Sequence, residues 1–306
     1  MTSTTSAPAP CCGDTTAADS TSTPHSASPT DRDRTKELVR ERYAHAATQQ
    51  AGCGCGCGTK EDGDVVGSGS SFSFVGDDYA GRDGYEEEAD LGLGCGIPTD
   101  VADFREGETV LDLGSGAGID AFIAARHVGT SGEVLGVDFT PEMVEKAKVN
   151  ASTLGYPNVR FVLGDIEDLP IPRQSVDLVI SNCVLNLVPD KDAAFAEMYR
   201  VLKPGGRFAV SDIVTLGPLP ERLRESAAMY AGCVAGAIDR GDYLERLRRA
   251  GFTDVDVVLE RPIEVPEEVL LQVGSTDDIE AFRSSGGIAS ITVKGTRSVR
   301  PSTEGD

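Results

Sequence analysis

Cys183 stands in Ile180-Ser-Asn-Cys-Val-Leu-Asn-Leu187, where an apolar run that reads as a strand gives out. A thiol at a strand end beside a cleft is placed to meet a ligand, whereas in an apolar interior it is only a small hydrophobe; position alone leaves both open. Upstream, Val110-Leu-Asp-Leu-Gly-Ser-Gly-Ala-Gly118 reads as a strand, a glycine-rich turn and a helix, which together offer backbone N–H groups to an adenosine-type cofactor. A cofactor cleft beside a cysteine points to group transfer onto a thiol-seeking substrate.

Gly114, Gly116 and Gly118 are spaced G-x-G-x-G, unlike the G-x-G-x-x-G of dinucleotide enzymes. Asp138 ends the next strand, Val134-Leu-Gly-Val-Asp138, where a carboxylate can accept from both ribose hydroxyls. Asp165, in Leu163-Gly-Asp-Ile-Glu167, ends a third strand and is placed for an adenine amino group. With Asp112 these are three acids at strand ends, which oppose a pyrophosphate and suit a sulfonium with its ammonium group. Alone, a glycine turn or a strand-end Asp is an ordinary helix cap; order and spacing carry the case.

Two further cysteines belong with Cys183. Cys95 lies in Leu91-Gly-Leu-Gly-Cys-Gly-Ile-Pro98 just before the first strand, and Cys233 lies in Gly232-Cys-Val-Ala-Gly236 on an expected helix from Pro220 to Ile238. Ligands of a doubly wound sheet bind outside the carboxyl ends of its strands, where all three could converge. Three thiolates match a soft, thiophilic element. A structural zinc site is poorly supported, because these thiols lack C-x-x-C pairing and a nearby His; His45 and His127 read as ordinary helix residues. Cys53, Cys55 and Cys57 alternate with Gly in a tract that cannot be a regular helix or strand, and Cys11-Cys12 falls in a tail rich in Ser, Thr, Ala and Pro.

The elements that must position these residues follow from apolar periodicity. Strands are expected at VLDLG, EVLGVD, VRFVLGD, VDLVISN and GRFAVSDIV, with closing strands at Phe252–Val258 and Ile288–Lys294. Helices are expected at Thr35–Ala47, Gly118–His127, Pro141–Leu154, Asp192–Leu202 (stopped by Lys203-Pro-Gly-Gly206) and Tyr243–Ala250, with a short one near Tyr85–Leu91. Continuous apolar strands alternating with helices mean an α/β, doubly wound, Rossmann-like parallel sheet covered on both faces. The expected organisation is a disordered tail (1–34), an N-terminal helix, Cys/Gly loop and cap (35–107), the main domain (108–295) and a flexible C-terminal tail (296–306).

Fifty acidic residues against 28 basic ones give a net charge of −22, which argues against nucleic acid or an anionic membrane as partner. The acid-rich, lysine-poor balance suits a high-salt cytoplasm, an expectation that a salt titration of folding showing no gain would remove. The first thirty residues lack the basic start and apolar core of a secretory signal, and no apolar run nears the roughly 20 residues of a bilayer span, so a reducing cytoplasm and a monomer are expected.

The glycine loop Asp112–Gly118, Asp138 and Gly164-Asp-Ile166 resemble the seven-stranded class I S-adenosylmethionine methyltransferases. That resemblance implies strand order 3-2-1-4-5-7-6 with the last strand antiparallel, and cofactor contacts at Asp112, Gly114, Ser115, Gly116, Gly118, Asp138, Phe139, Thr140, Gly164, Asp165, Ile166 and Asn182. The contexts of Cys95, Cys183 and Cys233, with Pro189-Asp-Lys191, Arg200–Arg207 and Ser211-Asp-Ile-Val214, resemble arsenite S-adenosylmethionine methyltransferases from about Val39 to Val293. The resemblance implies that As(III), delivered as a glutathione or other thiol conjugate, is held by Cys95, Cys183 and Cys233 and methylated, with glutathione or thioredoxin as reductant and detoxification as the role. That family often carries an adjacent cysteine pair where this chain has Cys53, Cys55 and Cys57, one of which would serve in disulfide exchange. The alternatives are a methyltransferase for a small organic substrate, with structural cysteines, and a thiol-based arsenic- or metal-binding protein.

Overall fold

The computed structural model describes residues 29–49, 79–224, 234 and 236–299. The strands are β1 (Thr109–Leu113), β2 (Glu133–Asp138), β3 (Val159–Leu163), β4 (Val176–Asn182), β5 (Leu202–Thr215), β6 (Phe252–Ile263) and β7 (Ile288–Arg297). They form one seven-stranded sheet in the order β3-β2-β1-β4-β5-β7-β6. β1 to β5 pair in parallel, and β7 runs antiparallel to both β5 and β6. Fold class and strand order are those the sequence led us to expect.

The helices are α1 (Pro29–Gln49), α2 (Ile119–Val128), α3 (Pro141–Leu154), α4 (Lys191–Val201), α5 (Glu221–Arg224), α6 (Arg240–Arg249), α7 (Glu267–Val273) and α8 (Thr276–Ser284). Alternation along the strands sends side chains to two cores. Leu111, Leu113, Val179 and Val210 pack with Phe195 and Met198 of α4 and Tyr243 and Leu247 of α6. Val110, Val134, Leu178 and Ile180 pack on the other face with Phe122 of α2 and Val144 and Ala147 of α3. Truncating a fully buried ring such as Phe122 or Phe195 to Ala should cost about 3–5 kcal/mol.

A third apolar cluster caps one end of the sheet. It gathers Val39 of α1, Leu223 of α5, Leu270 of α7 and Ile279 and Phe282 of α8 around Cys95, Cys183 and Ile213. The chain departs from the sequence reading at several points: α7 and α8 were not anticipated, and β6 and β7 run past their expected ends to Ile263 and Arg297. α1 extends past Thr35–Ala47 at both ends, and the segment near Tyr85 forms only a 3-10 turn, Glu87–Ala89. Lys203-Pro-Gly-Gly206 is not a separate stop: α4 passes directly into β5, and these residues bulge opposite Asp177, since Val176 pairs with Leu202 and Leu178 with Arg207. Within the expected Pro220–Ile238 helix, α5 spans Glu221–Arg224, Val234 and Gly236–Ile238 are non-helical, and residues 225–233 and 235 lie outside the described residues. Among described residues no helix is long and apolar enough to cross a membrane.

Candidate active site

The glycine turn after β1 is laced to the neighbouring strand: the N–H groups of Gly114 and Ser115 both donate to the Val137 carbonyl, at 2.7 and 3.1 Å. Gly116 has φ +50° and a Cβ added there would meet no atom of the described residues within 4 Å, so the space above its backbone is open to a ligand. Around it opens a cleft of about 1060 Å³, counting its open mouth, lined by Asp112, Gly114, Ser115, Gly116, Asp138, Phe139, Asp165, Ile166 and Asn182 of the expected contacts. Gly118, Thr140 and Gly164 do not line it. A Cβ on Gly118 would lie 2.9 Å from the Phe122 and Phe161 rings, so this glycine serves the entry to α2. Thr140 precedes α3 as its N-cap, yet its side chain makes no capping bond; its backbone N–H instead donates to Asp138 Oδ1 at 2.8 Å.

The acids differ in how they are held. Asp138 Oδ2 also accepts from Gly116 N at 3.0 Å, which fixes the carboxylate across the glycine turn, while burial raises its pKa. Asp112 is buried, its Oδ2 has no partner among the described residues, and burial with the nearby Asp120 and Asp138 charges drives its pKa well up. Burial lifts Asp120 to about 7, against hydrogen bonds from Tyr79 and Asn182. A cation in this cleft would relieve carboxylates that are costly to ionise unpaired. Asp165 lies two residues beyond β3 and is already engaged: Lys36 Nζ of α1 donates to its Oδ2 at 2.6 Å and also pairs with Glu167. The lining fits an adenosyl sulfonium: an open glycine cradle, an orphaned buried carboxylate oxygen, Ser115 Oγ without a described partner, and a surplus of acids.

Tyr79, Asp120 and Lys36 escaped the sequence reading. The Tyr79 hydroxyl donates to Asp120 at 3.0 Å and accepts from Asn182 Nδ2. Asp120 stands in the first turn of α2, where an acid reads as a helix-dipole partner, and Tyr79 sits in a Gly- and acid-rich stretch without periodicity.

Cys183 follows β4 at φ +59°, a left-handed conformation that costs a non-glycine residue about 1–2 kcal/mol. Its N–H donates to Ser211 O of β5 at 2.8 Å, which fixes the turn. Cys95 approaches from the loop before β1, where close approach demands its flanking glycines: a Cβ on Gly94 would lie 2.6 Å from Asn182 Nδ2, and one on Gly96 would strike the Ser211 side chain. Asn182 clamps this loop, accepting from Cys95 N at 3.1 Å and donating to Gly96 O at 2.7 Å. Ser290 of β7 donates to the Cys95 carbonyl. Both thiols are buried, and their sulfurs lie within 4.8 Å of each other and of an Asp212 carboxylate oxygen. Cys233, Cys53, Cys55, Cys57, Cys11 and Cys12 lie outside the described residues.

Asp212 is another residue that sequence reasoning passed over, although a carboxylate within the apolar strand GRFAVSDIV was itself a signal. Burial raises its pKa to about 7 against the Lys191 charge and a 3.2 Å hydrogen bond from Tyr243. Lys191 is also buried, and burial pushes its pKa down to about 8, with its ammonium donating to the carbonyls of Asn186 and Val188 at 3.0 Å.

A family profile described as a methyltransferase domain matches residues 104–251. An arsenite methyltransferase of Halobacterium salinarum is 44% identical over 232 residues, covering 74% of this chain and 59% of that protein. The human arsenite methyltransferase is 36% identical over 198 residues, covering 62% of this chain and 52% of that protein. The chain thus spans only half to three fifths of these relatives' length. Among solved structures, an arsenic(III) S-adenosylmethionine methyltransferase from Chlamydomonas reinhardtii aligns with a TM-score of 0.55 at 36% identity, over 68% of each chain. With the sheet order, the glycine cleft and the paired thiols, this places the chain in the family of S-adenosylmethionine-dependent arsenite methyltransferases.

Proposed function

We propose that the chain methylates trivalent arsenic held by cysteine thiolates, as a detoxifying enzyme. The observation that carries this reading is Asn182, which lines the cofactor cleft and at the same time grips the backbone of Cys95 next to Cys183, so one side chain joins the two sites. When bound, S-adenosylmethionine supplies a methyl group on a positively charged sulfur. Asp138, Asp112 and the turn at Gly114–Gly116 would hold it.

Arsenite arrives as a conjugate of glutathione or another thiol, and exchanges those ligands for Cys95, Cys183 and Cys233. Each cysteine gives up its proton as its sulfur binds. The apolar cluster of Leu187, Ile213 and Leu223 around the thiols keeps water out. The arsenic lone pair would be the nucleophile: as the arsenic–carbon bond forms the methyl–sulfur bond would break and S-adenosylhomocysteine would leave, so the chain needs no general base. Its contribution is position, which can recover about 7–11 kcal/mol of barrier when reactants are held in near-attack geometry. The arsenic, formally oxidised by two electrons when its lone pair forms the arsenic–carbon bond, would be returned to the trivalent state by two cysteine thiolates; one of Cys53, Cys55 and Cys57 would exchange the resulting disulfide, and glutathione or thioredoxin would reduce it, in a monomeric cytoplasmic enzyme.

The test is mass-resolved analysis of arsenic species after incubating the purified chain with arsenite, S-adenosylmethionine and glutathione. Methylated arsenicals are expected; their absence from protein that binds the cofactor would overturn this reading in favour of an organic substrate.

A further inference from the structure

Arsenic alone does not account for Asp212. One of its carboxylate oxygens lies within 4.8 Å of both the Cys95 and Cys183 sulfurs, and all three residues are buried. The carboxylate is fixed in place: Oδ1 faces its neighbour's N–H at Ile213, 3.2 Å away, and Oδ2 takes the Tyr243 hydroxyl at the same distance. Arsenic(III) bound to three thiolates is neutral and soft, and has little use for a carboxylate donor. Two thiolates and a carboxylate, by contrast, form a donor set with three negative charges. A dication would leave one, and the buried ammonium of Lys191, within electrostatic reach of Asp212, offsets it.

We propose that Cys95, Cys183 and Asp212 form a binding site for a borderline-soft divalent cation of the zinc and cadmium type, and that this cation and arsenic exclude one another. The donor types are those of tetrahedral zinc, with sulfur at about 2.3 Å and carboxylate oxygen at about 2.0–2.2 Å. Two sulfurs on one such ion stand roughly 3.8 Å apart, so the observed spacing needs to close by no more than about an ångström. On binding, two metal–sulfur bonds and one metal–oxygen bond form as water ligands leave the ion, and the protons of the two thiols, with any on the Asp212 carboxyl, pass to solvent; no electron moves. The fourth position stays open for water or an exogenous thiol. The proposal rests on the arsenic reading only in naming arsenic as the competitor. Its consequence is inhibition: a thiophilic dication would block methylation by occupying the substrate's own sulfurs.

The experiment uses the full chain with Cys11, Cys12, Cys53, Cys55 and Cys57 replaced by Ser, so that the remaining thiols are Cys95, Cys183 and Cys233. Cadmium is titrated against a competing chelator and followed by its thiolate charge-transfer absorption. One cadmium per chain is expected, and arsenite should displace it. Asp212→Asn keeps an acceptor for Tyr243 and should lower cadmium affinity at least about tenfold more than arsenite affinity, the scale on which ligand-shell changes act. Cys95→Ser should lose cadmium in the same way and covers the case in which the Asn variant does not fold. Cadmium bound as tightly by Asp212→Asn as by its parent, or no stoichiometric cadmium at all, would overturn the proposal. If cadmium binds as expected while arsenite is neither bound nor methylated, the cation site stands and the arsenic reading fails.

Discussion

Asn182 holds Cys95 by its backbone: Oδ1 accepts from the Cys95 N–H at 3.1 Å, and Nδ2 donates to the next carbonyl, Gly96 O, at 2.7 Å. Cys183 is the residue after Asn182, so a single strand end sets the position of both thiols. Asn182→Ala removes the side-chain acceptor of the Cys95 N–H and one of the two donors to Gly96 O, the other being the Tyr79 hydroxyl at 3.4 Å, which should cost about 1–3 kcal/mol in denaturant unfolding. Arsenic turnover should fall with it. Unchanged unfolding and full turnover in this variant would show that the loop is placed by other contacts.

Replacing either thiol should separate the two halves of the site. Changes around a metal's ligands typically cost about 10–100-fold in affinity, and loss of a ligand atom should cost at least that. Cys183→Ser and Cys95→Ser are therefore expected to lose arsenite methylation and keep S-adenosylmethionine binding, measured by calorimetry. Full turnover in either would defeat thiolate ligation.

Lys36 ties α1 to the cleft through Asp165 and Glu167, and Arg32 adds a 2.9 Å pair to Asp190. These are partly exposed pairs, worth about 0.2–1 kcal/mol each. Lys36→Ala should weaken cofactor binding roughly two- to tenfold, and salt should have less effect on the variant than on the parent. Equal affinity and equal salt dependence would mean that α1 contributes nothing to the cleft.

The buried acids predict a pH dependence of definite sign. Asp120 has its folded-state pKa raised to about 7, from an ordinary value near 3.8, so the folded chain binds more protons than the unfolded one between those values. The contribution is complete below about pH 4 and is lost as pH rises through about 7, so cofactor-free stability should decline across that window. Asp120→Asn, which still accepts from Tyr79, should flatten the decline. A cationic cofactor favours the ionised acids, so its affinity should rise over the same range. A stability curve unaffected by the substitution would remove Asp120 from the account.

What could be read from the sequence was local in origin. The strands at Val110, Val134 and Val176 announce themselves as apolar runs, Pro141 and Gly155 bracket α3, and the G-x-G-x-G turn carries its own conformational signature. Cys95 and Cys183 were visible from their contexts; their distance was not, because it depends on a loop, a strand end and a strand far downstream. Tyr79, Lys36 and Asp212 act through partners 41, 129 and 31 residues away, where no spacing rule reaches. The Lys203–Gly206 bulge went unread because Pro and Gly mark a break without saying whether the chain turns or loops out.

The strand β7 enters the sheet between β5 and β6, and from there Ser290 reaches the carbonyl of Cys95, 195 residues earlier in the chain. Such distant pairings form late, after loop closure has been overcome. A nascent or refolding chain can therefore possess its thiols and most of its sheet before Cys95 is fixed. In the chain with Cys11, Cys12, Cys53, Cys55 and Cys57 replaced by Ser, capture of Cys95 and Cys183 together by a dithiol-selective arsenical dye would then act as a clock for the last step of folding, its signal rising as β7 docks.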